Sequence, residues 1–187
     1  ASIRVLPKYR TLPRVLDKIC SFYVAIFRGT PMVVQLLVFY YVLMPLMGIK
    51  IDGLNVAITV FGLNSGAYVS EIMRGGILSV DPGQLEGGRS VGMSYATTMF
   101  KIVIPQAIKN ILPTLGNEFI TLVKETSIVS FVGAMDLYKV FNDIGTNNYE
   151  FMVPYLVMAV IYIIIVCLIT LGIKFMERRL RKSDRRS

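Results

Sequence analysis

Histidine is absent from the 187 residues, which removes Ser-His-Asp and Cys-His catalysis and every His-ligated metal site together. Only two cysteines occur, Cys20 and Cys167. They are far apart and outside any CxxC pattern, so they supply neither a disulfide framework nor a redox motif and read as small buried hydrophobes. Charge is scarce too, at 17% of residues against roughly 25% in soluble domains. No secretory signal opens the chain, because residues 1 to 18 are basic, broken by Pro7 and Pro13, and lack an apolar core; that segment reads as a loop. No G-x-x-x-x-G-K-[ST] phosphate loop is present, so the chain supplies no nucleotide site by that route. What is abundant is apolar sequence, 54% of the chain. The formal charge of +8 sits beside the apolar runs rather than on one nucleic-acid face, the pattern of a membrane protein.

Two uncharged runs, Gly29 to Ile49 and Phe151 to Ile173, exceed the roughly 20 residues a helix needs to cross a hydrocarbon core. Gly53 to Ser70 is also uncharged but holds Asn55, Thr59, Asn64 and Ser65, so that span is expected to face other helices. Asn110 to Met135 is interrupted by Glu118, Lys124 and Glu125 and is taken as a span because the topology requires it. Residues 1 to 18 carry +4, residues 174 to 187 carry +5 and the loop from Arg74 to Lys109 carries +2. The Asp136 to Glu150 connection carries −2, and the Met44 to Gly53 turn is neutral. The positive-inside rule puts both termini and the middle loop in the cytoplasm, which four spans satisfy.

The middle loop has the sharpest local signals. Asp81, Pro82 and Gln84 stand in capping-box order, so a helix is expected from there through Glu86 and Arg89, ending at Gly92. Ser94 caps a second helix with Tyr95, Met99, Ile102 and Val103 on its apolar side, and Pro105 perturbs entry to the next span. An amphipathic loop lying on the bilayer surface fits the periodicity equally well.

The residues EGGRSVGMSYATTMFKIVIP in this loop resemble the EAA loop of ABC importer permeases, whose pattern is Glu-Ala-Ala, three residues, Gly, nine residues, then Ile-x-Leu-Pro. Glu86-Gly87-Gly88, Gly92 and Ile102-Val103-Ile104-Pro105 match every anchor, with Gly for Ala at 87 and 88 and Ile for Leu at 104. The two glycines weaken helix propensity by about 1 kcal/mol each relative to alanine. AIFRGTPMVVQ, AYVSEIMRGGI and PTLGNEFITLVKETSIVSFVG are similar to the polar amino-acid group of these permeases. The resemblance implies an all-α integral membrane protein with the helical bundle of a type I ABC importer permease. It is read as one transmembrane domain over residues 1 to 187, with a coupling loop at about 74 to 109. Family members usually have one more N-terminal helix, so the chain is expected to begin in the cytoplasmic loop after it, with the family's first helix missing.

The resemblance further implies a multi-pass protein of the bacterial cell membrane, paired with a second permease copy or paralogue. An ATP-binding subunit docks on the loop, and an extracytoplasmic binding protein delivers an amino-acid substrate. The chain itself needs no cofactor and no metal, with ATP and Mg²⁺ held by the partner ATPase. Glu86, Gly87, Gly88, Gly92, Ser94, Tyr95, Ala96 and Thr97 are the expected coupling residues. Without the resemblance, Glu86 reads as a solvated first-turn acid favoured by the helix dipole.

Charged groups at bilayer depth cost at least about 2.5 to 3.5 kcal/mol and need partners or water. Glu118 and Glu125, seven apart, project from roughly one helix face about 10 Å apart along the axis. With Asn117 in the GNEF stretch, they are the expected substrate pathway. A basic amino acid such as arginine, lysine or histidine would offset desolvation of the carboxylates. The alternatives are import of glutamine, glutamate or cystine, and a structural ion-pair network in which Lys124 pairs with a neighbouring helix. Glu71 and Arg74 read as an i,i+3 pair, Asn64 and Ser65 as packing groups, and Arg28-Gly29-Thr30-Pro31 as a kink whose free backbone groups Thr30 satisfies. A membrane-embedded enzyme using the two glutamates lacks a nucleophile, metal set or cofactor motif. A passive scaffold predicts that Glu86 and Gly92 are dispensable for ATPase association.

Overall fold

The computed structural model describes residues 11–184, with side chains described from 15 to 178, and its elements are helices. The first, α1 (Thr11–Gly29), begins well before the span boundary and corrects the reading of residues 11 to 18 as loop. Pro13 lies in the first turn, where a missing N–H has no intrahelical acceptor anyway, so it starts the helix instead of breaking it.

The chain then bends by 107° between Val15–Gly29 and Met32–Leu46. Pro31 explains the break, since it has no N–H for the carbonyl of Phe27 and its ring crowds that same carbonyl. Two side-chain amides fill the gap: Gln35 Nε2 and Asn64 Nδ2 each donate to Phe27 O at 2.9 Å. Asn64 Nδ2 also donates to Gln35 Oε1 at 3.0 Å, and the Thr30 hydroxyl donates to Ile26 O at 2.8 Å. Gln35 and Asn64 are buried, and both of their amide nitrogens and Gln35 Oε1 are hydrogen-bonded within the bend.

After the bend, α2 (Met32–Val38) widens into a π turn over Phe39–Leu43 before α3 (Met44–Leu46). The same device recurs at Met99–Val103. In both cases a proline follows two residues later, Pro45 and Pro105. An i→i−5 bond, Met44 N to Phe39 O and Ile104 N to Met99 O, shifts the ladder register where a proline would clash with the i−4 carbonyl.

Helix α4 (Gly53–Leu78) starts on an Asp52 cap. α5 (Pro82–Ser90) and α6 (Tyr95–Thr98) form the middle loop, and α7 (Ile104–Glu125) follows. A 3-10 segment, Thr126–Val132, leads to α8 (Leu137–Asn148), capped by Asp136, and to α9 (Met152–Asp184). Among the described residues, α4 and Met152–Arg178 of α9 are each long and apolar enough to cross a membrane, and the bent pair adds a third crossing if counted as one span. With 22 residues, α7 is about 33 Å long, sufficient for a crossing, but Lys109, Glu118, Lys124 and Glu125 set it apart from the apolar class.

The burial pattern shows what each span faces. The most apolar window of α9 has no buried residue, whereas a third of that of α4 (33%) is buried, as expected for a helix facing protein. Its Val56, Ala57, Val60 and Phe61 join Met32, Leu36, Val129 and Val132 in one core. Val80, Val103, Ala107 and Ile111 form a second core beneath the middle loop. At the latter, α4 and α7 approach so closely that a Cβ on Gly76 would lie 2.1 Å from Ile111 Cγ1.

Candidate coupling loop and transmembrane pathway

The middle loop is a pair of capped helices meeting at a tight turn. Asp81 Oδ1 accepts from Gly83 N at 2.8 Å, and Pro82 occupies the first turn of α5. The expected reciprocal cap from Gln84 is not made. Its Oε1 accepts instead from Gln106 Nε2 at 3.1 Å, because α7 brings a donor alongside. α5 ends with Gly92 at φ +85°, where Met93 N bonds to Gly88 O at 3.1 Å and Gly92 N to Arg89 O at 3.0 Å. This left-handed closure satisfies two carbonyls and favours glycine. Ser94 then caps α6, its Oγ accepting from Thr97 N at 3.2 Å.

Beyond the cap at Ser94 and the turn at Gly92, two more predicted coupling residues, Gly88 and Thr97, have internal duties. Gly88 is buried, and a Cβ there would lie 2.4 Å from Thr98 Cγ2 and 3.0 Å from Thr98 Oγ1. Thr98 is fully buried, with its hydroxyl donating to Ser94 O at 3.0 Å. The Thr97 hydroxyl pairs with Ser94 Oγ at 2.8 Å. Glu86, Gly87, Gly92, Ser94, Tyr95 and Ala96 are each exposed, as is Val91 at 78%. Sequence reasoning missed both Val91, an exposed apolar tip, and Thr98, whose role depends on a contact ten residues away.

Within the membrane-depth region, α7 carries Asn117, Glu118 and Glu125, with Asn117 exposed and the two glutamates half-buried. Glu125 is the last residue of α7. Glu118 feels both the negative charge of Glu125 and the positive charge of Arg28 from α1. Arg28 is the site residue that sequence reasoning left among kink features. Its Nη1 lies 3.7 Å from Glu71 Oε2, and its guanidinium stands 5.2 Å from the Tyr68 ring centroid. Arg74 holds the same Glu71 oxygen at 2.8 Å, so the expected i,i+3 pair is extended by a cation from a second helix.

Lys124 forms no ion pair with a described residue of a neighbouring helix; its charge acts on adjacent Glu125. It lines a cavity of about 470 Å³ with Ser127, Tyr138 and Tyr162. Cys20 and Cys167 are free thiols, Cys20 half-buried and Cys167 exposed along α9, so neither is the buried hydrophobe expected.

This arrangement, a capped helix pair joined to a helical bundle, matches a known family. The family model described as the binding-protein-dependent transport system inner membrane component covers residues 9–182. The chain belongs to this family. It is 40% identical to the arginine transport system permease protein ArtQ of Bacillus subtilis over 89% of this chain and 76% of that protein. Identity is 42% to the putative glutamine transport system permease protein GlnP of Rickettsia bellii, over 89% and 77%. It is 41% to the L-cystine transport system permease protein TcyB of Bacillus subtilis, over 89% and 71%. Among solved structures, an amino acid ABC transporter crystallised with histidines superposes with TM-score 0.84 at 42% identity, covering 89% of this chain and 77% of that one. The MetNI methionine transporter shares the fold at TM-score 0.74 and 22% identity, over 95% and 82%. The chain is thus a membrane permease subunit of amino-acid ABC import with the type I permease fold. It is non-catalytic, and ATP hydrolysis belongs to a partner.

Proposed function

We propose that this permease component carries a basic amino acid along the Asn117, Glu118 and Glu125 face of α7. The observation supporting this reading is the charge arrangement: two half-buried carboxylates seven residues apart on one helix, with the exposed Asn117 amide beside Glu118. A basic amino acid carries an α-ammonium and a side-chain cation for the two carboxylates. Carboxylates at such depth need a partner of this kind or water.

Coupling runs through the outward face of the middle loop, where Glu86 makes a polar contact and Tyr95 and Ala96 meet a groove of the ATP-binding subunit. That partner holds ATP and Mg²⁺. Gly92 permits the turn, while Gly88 and Thr97 hold the loop's internal packing. A second permease copy or paralogue completes the pathway, and an extracytoplasmic binding protein supplies substrate at the bacterial cell membrane. ATP-driven approach of the coupling loops turns the pathway outward, and their separation opens it inward.

Glutamine or cystine is the second reading, favoured by the names of two relatives. The deciding experiment is ATP hydrolysis by the complex with its ATPase and binding protein in liposomes, titrated with arginine, lysine, histidine, glutamine, glutamate and cystine. Stimulation by a basic amino acid, lost in Glu118→Gln and Glu125→Gln, supports the proposal. Stimulation by glutamine, glutamate or cystine alone sinks the basic-substrate reading and leaves the importer.

A further inference from the structure

The polar residues of α7 extend well beyond the glutamates. Gln106, Asn110, Thr114, Asn117, Thr121 and Glu125 recur at steps of three and four, the spacing that keeps side chains on one helix face. Nineteen residues of rise make this stripe about 28 Å long, nearly the thickness of a hydrocarbon core. Asn110, Thr114, Asn117 and Thr121 are exposed along it, whereas Ile108 and Phe119, 44% and 56% exposed, project from the opposite side. The remaining directions are taken by helix packing, with α4 entering through Gly76 on Ile111 and α9 through Ile173 on Gly116.

A row of amides, hydroxyls and carboxylates is costly against lipid, where no water satisfies it. The apolar side of α7 already provides a lipid face, so the stripe belongs against water. Its chemistry suits a zwitterion: Asn amides offer both donors and acceptors, and the Thr121 hydroxyl, donating to Asn117 O at 3.2 Å, presents its lone pairs outward.

At its cytoplasmic end the stripe is tied down twice. Asn110 Nδ2 donates to Ser79 Oγ at 2.9 Å, at the end of α4, and Gln106 Nε2 donates to Gln84 Oε1 at 3.1 Å, on α5. Both bonds are exposed and therefore readily exchanged for water, and both tie α7 to residues flanking or inside the coupling loop.

We propose that Thr114, Asn110 and Gln106 form the cytoplasmic exit segment of the substrate track, closed here by the Asn110–Ser79 and Gln106–Gln84 bonds. This rests on the reading of Asn117, Glu118 and Glu125 as the pathway. A moving coupling loop would break the two bonds and free the polar groups to hand the amino acid to the cytoplasm.

The test uses the assembled importer in liposomes, with Cys20 and Cys167 replaced by alanine and single cysteines placed at Thr121, Asn117, Thr114, Asn110, Ile108 or Phe119. A water-soluble, membrane-impermeant thiosulfonate is the probe, with arginine and glutamine as protecting substrates. Thr114→Cys and Asn110→Cys are expected to react at least about tenfold faster than Ile108→Cys and Phe119→Cys, which lipid shields from the charged reagent. A transported amino acid is expected to slow their labelling. Protection at Asn117→Cys and Thr121→Cys but not at Thr114→Cys and Asn110→Cys would overturn the exit segment while leaving the pathway intact. Protection at none of the four would remove the pathway reading as well.

Ser79→Ala is expected to speed cytoplasmic labelling of Thr114→Cys, and an unchanged rate would refute the closure. Variants that keep the polar groups give an independent readout. Thr114→Ser should transport faster than Thr114→Val, and Asn110→Gln faster than Asn110→Leu, with the ATPase still bound in all four. Equal transport in both sets would contradict the proposal.

Discussion

Adding one methyl group to the coupling loop should have opposite effects at adjacent positions. At Gly87 a Cβ meets nothing within 4 Å, so Gly87→Ala gains helix propensity and stabilises the loop by up to about 1 kcal/mol. At Gly88 the new carbon would fall 2.4 Å from Thr98 Cγ2, 3.0 Å from Thr98 Oγ1 and 3.2 Å from Ile102 Cδ1. Thr98 is fully buried and has little room to give way. Overpacking of this kind costs about 1 to 3 kcal/mol, which outweighs the propensity gain and leaves Gly88→Ala destabilising by up to about 2 kcal/mol. Thr98→Ser deletes the clashing methyl and keeps the hydroxyl that bonds Ser94 O, so Gly88→Ala with Thr98→Ser should recover most of the loss. The assay is co-purification of the ATP-binding subunit with each variant, together with thermal unfolding of the complex. If Gly88→Ala proves as favourable as Gly87→Ala, or if Thr98→Ser gives no rescue, the close packing of α5 on α6 is wrong.

Three further outcomes follow from the same kind of accounting. Gln35→Leu or Asn64→Leu leaves buried polar groups at the Pro31 bend unsatisfied, so thermal unfolding in detergent should show a loss of about 1 to 3 kcal/mol. Gly92→Ala must hold φ +85° at a cost of about 1 to 2 kcal/mol, and ATPase co-purification should fall while the permease still inserts. Tyr149 is 94% exposed with φ 52°, and Tyr149→Gly should raise unfolding stability by about 1 kcal/mol.

The local signals were legible and the contacts were not. Asp81, Pro82, Gly92 and Ser94 announce the coupling-loop helices because caps and left-handed turns depend on a few adjacent residues. Gln84 shows the limit: its spacing specifies a capping box, yet a donor on α7 twenty-two residues away takes its side chain. Pro13 misled because one residue type both breaks helix interiors and begins helices. The bend at Pro31 could be read from Thr30 and Pro31, whereas its repair by Gln35 and Asn64 required two separate helices to meet. The π turns before Pro45 and Pro105 have no sequence marker other than the prolines themselves. Glu118 and Glu125 stood out by charge, and Arg28 did not, since its part comes from α1 packing on α4, which brings it to Glu71.

The most direct test of the central claim is the arginine-to-glutamine ratio of kcat/KM for uptake into liposomes, compared between the unmodified importer and Glu118→Gln. A charge-assisted hydrogen bond is worth about 1.5 to 3 kcal/mol, so losing it should lower the ratio by about ten- to a hundredfold. A ratio that stays the same when Glu118 is neutralised would contradict selection of a cationic substrate by the α7 carboxylates.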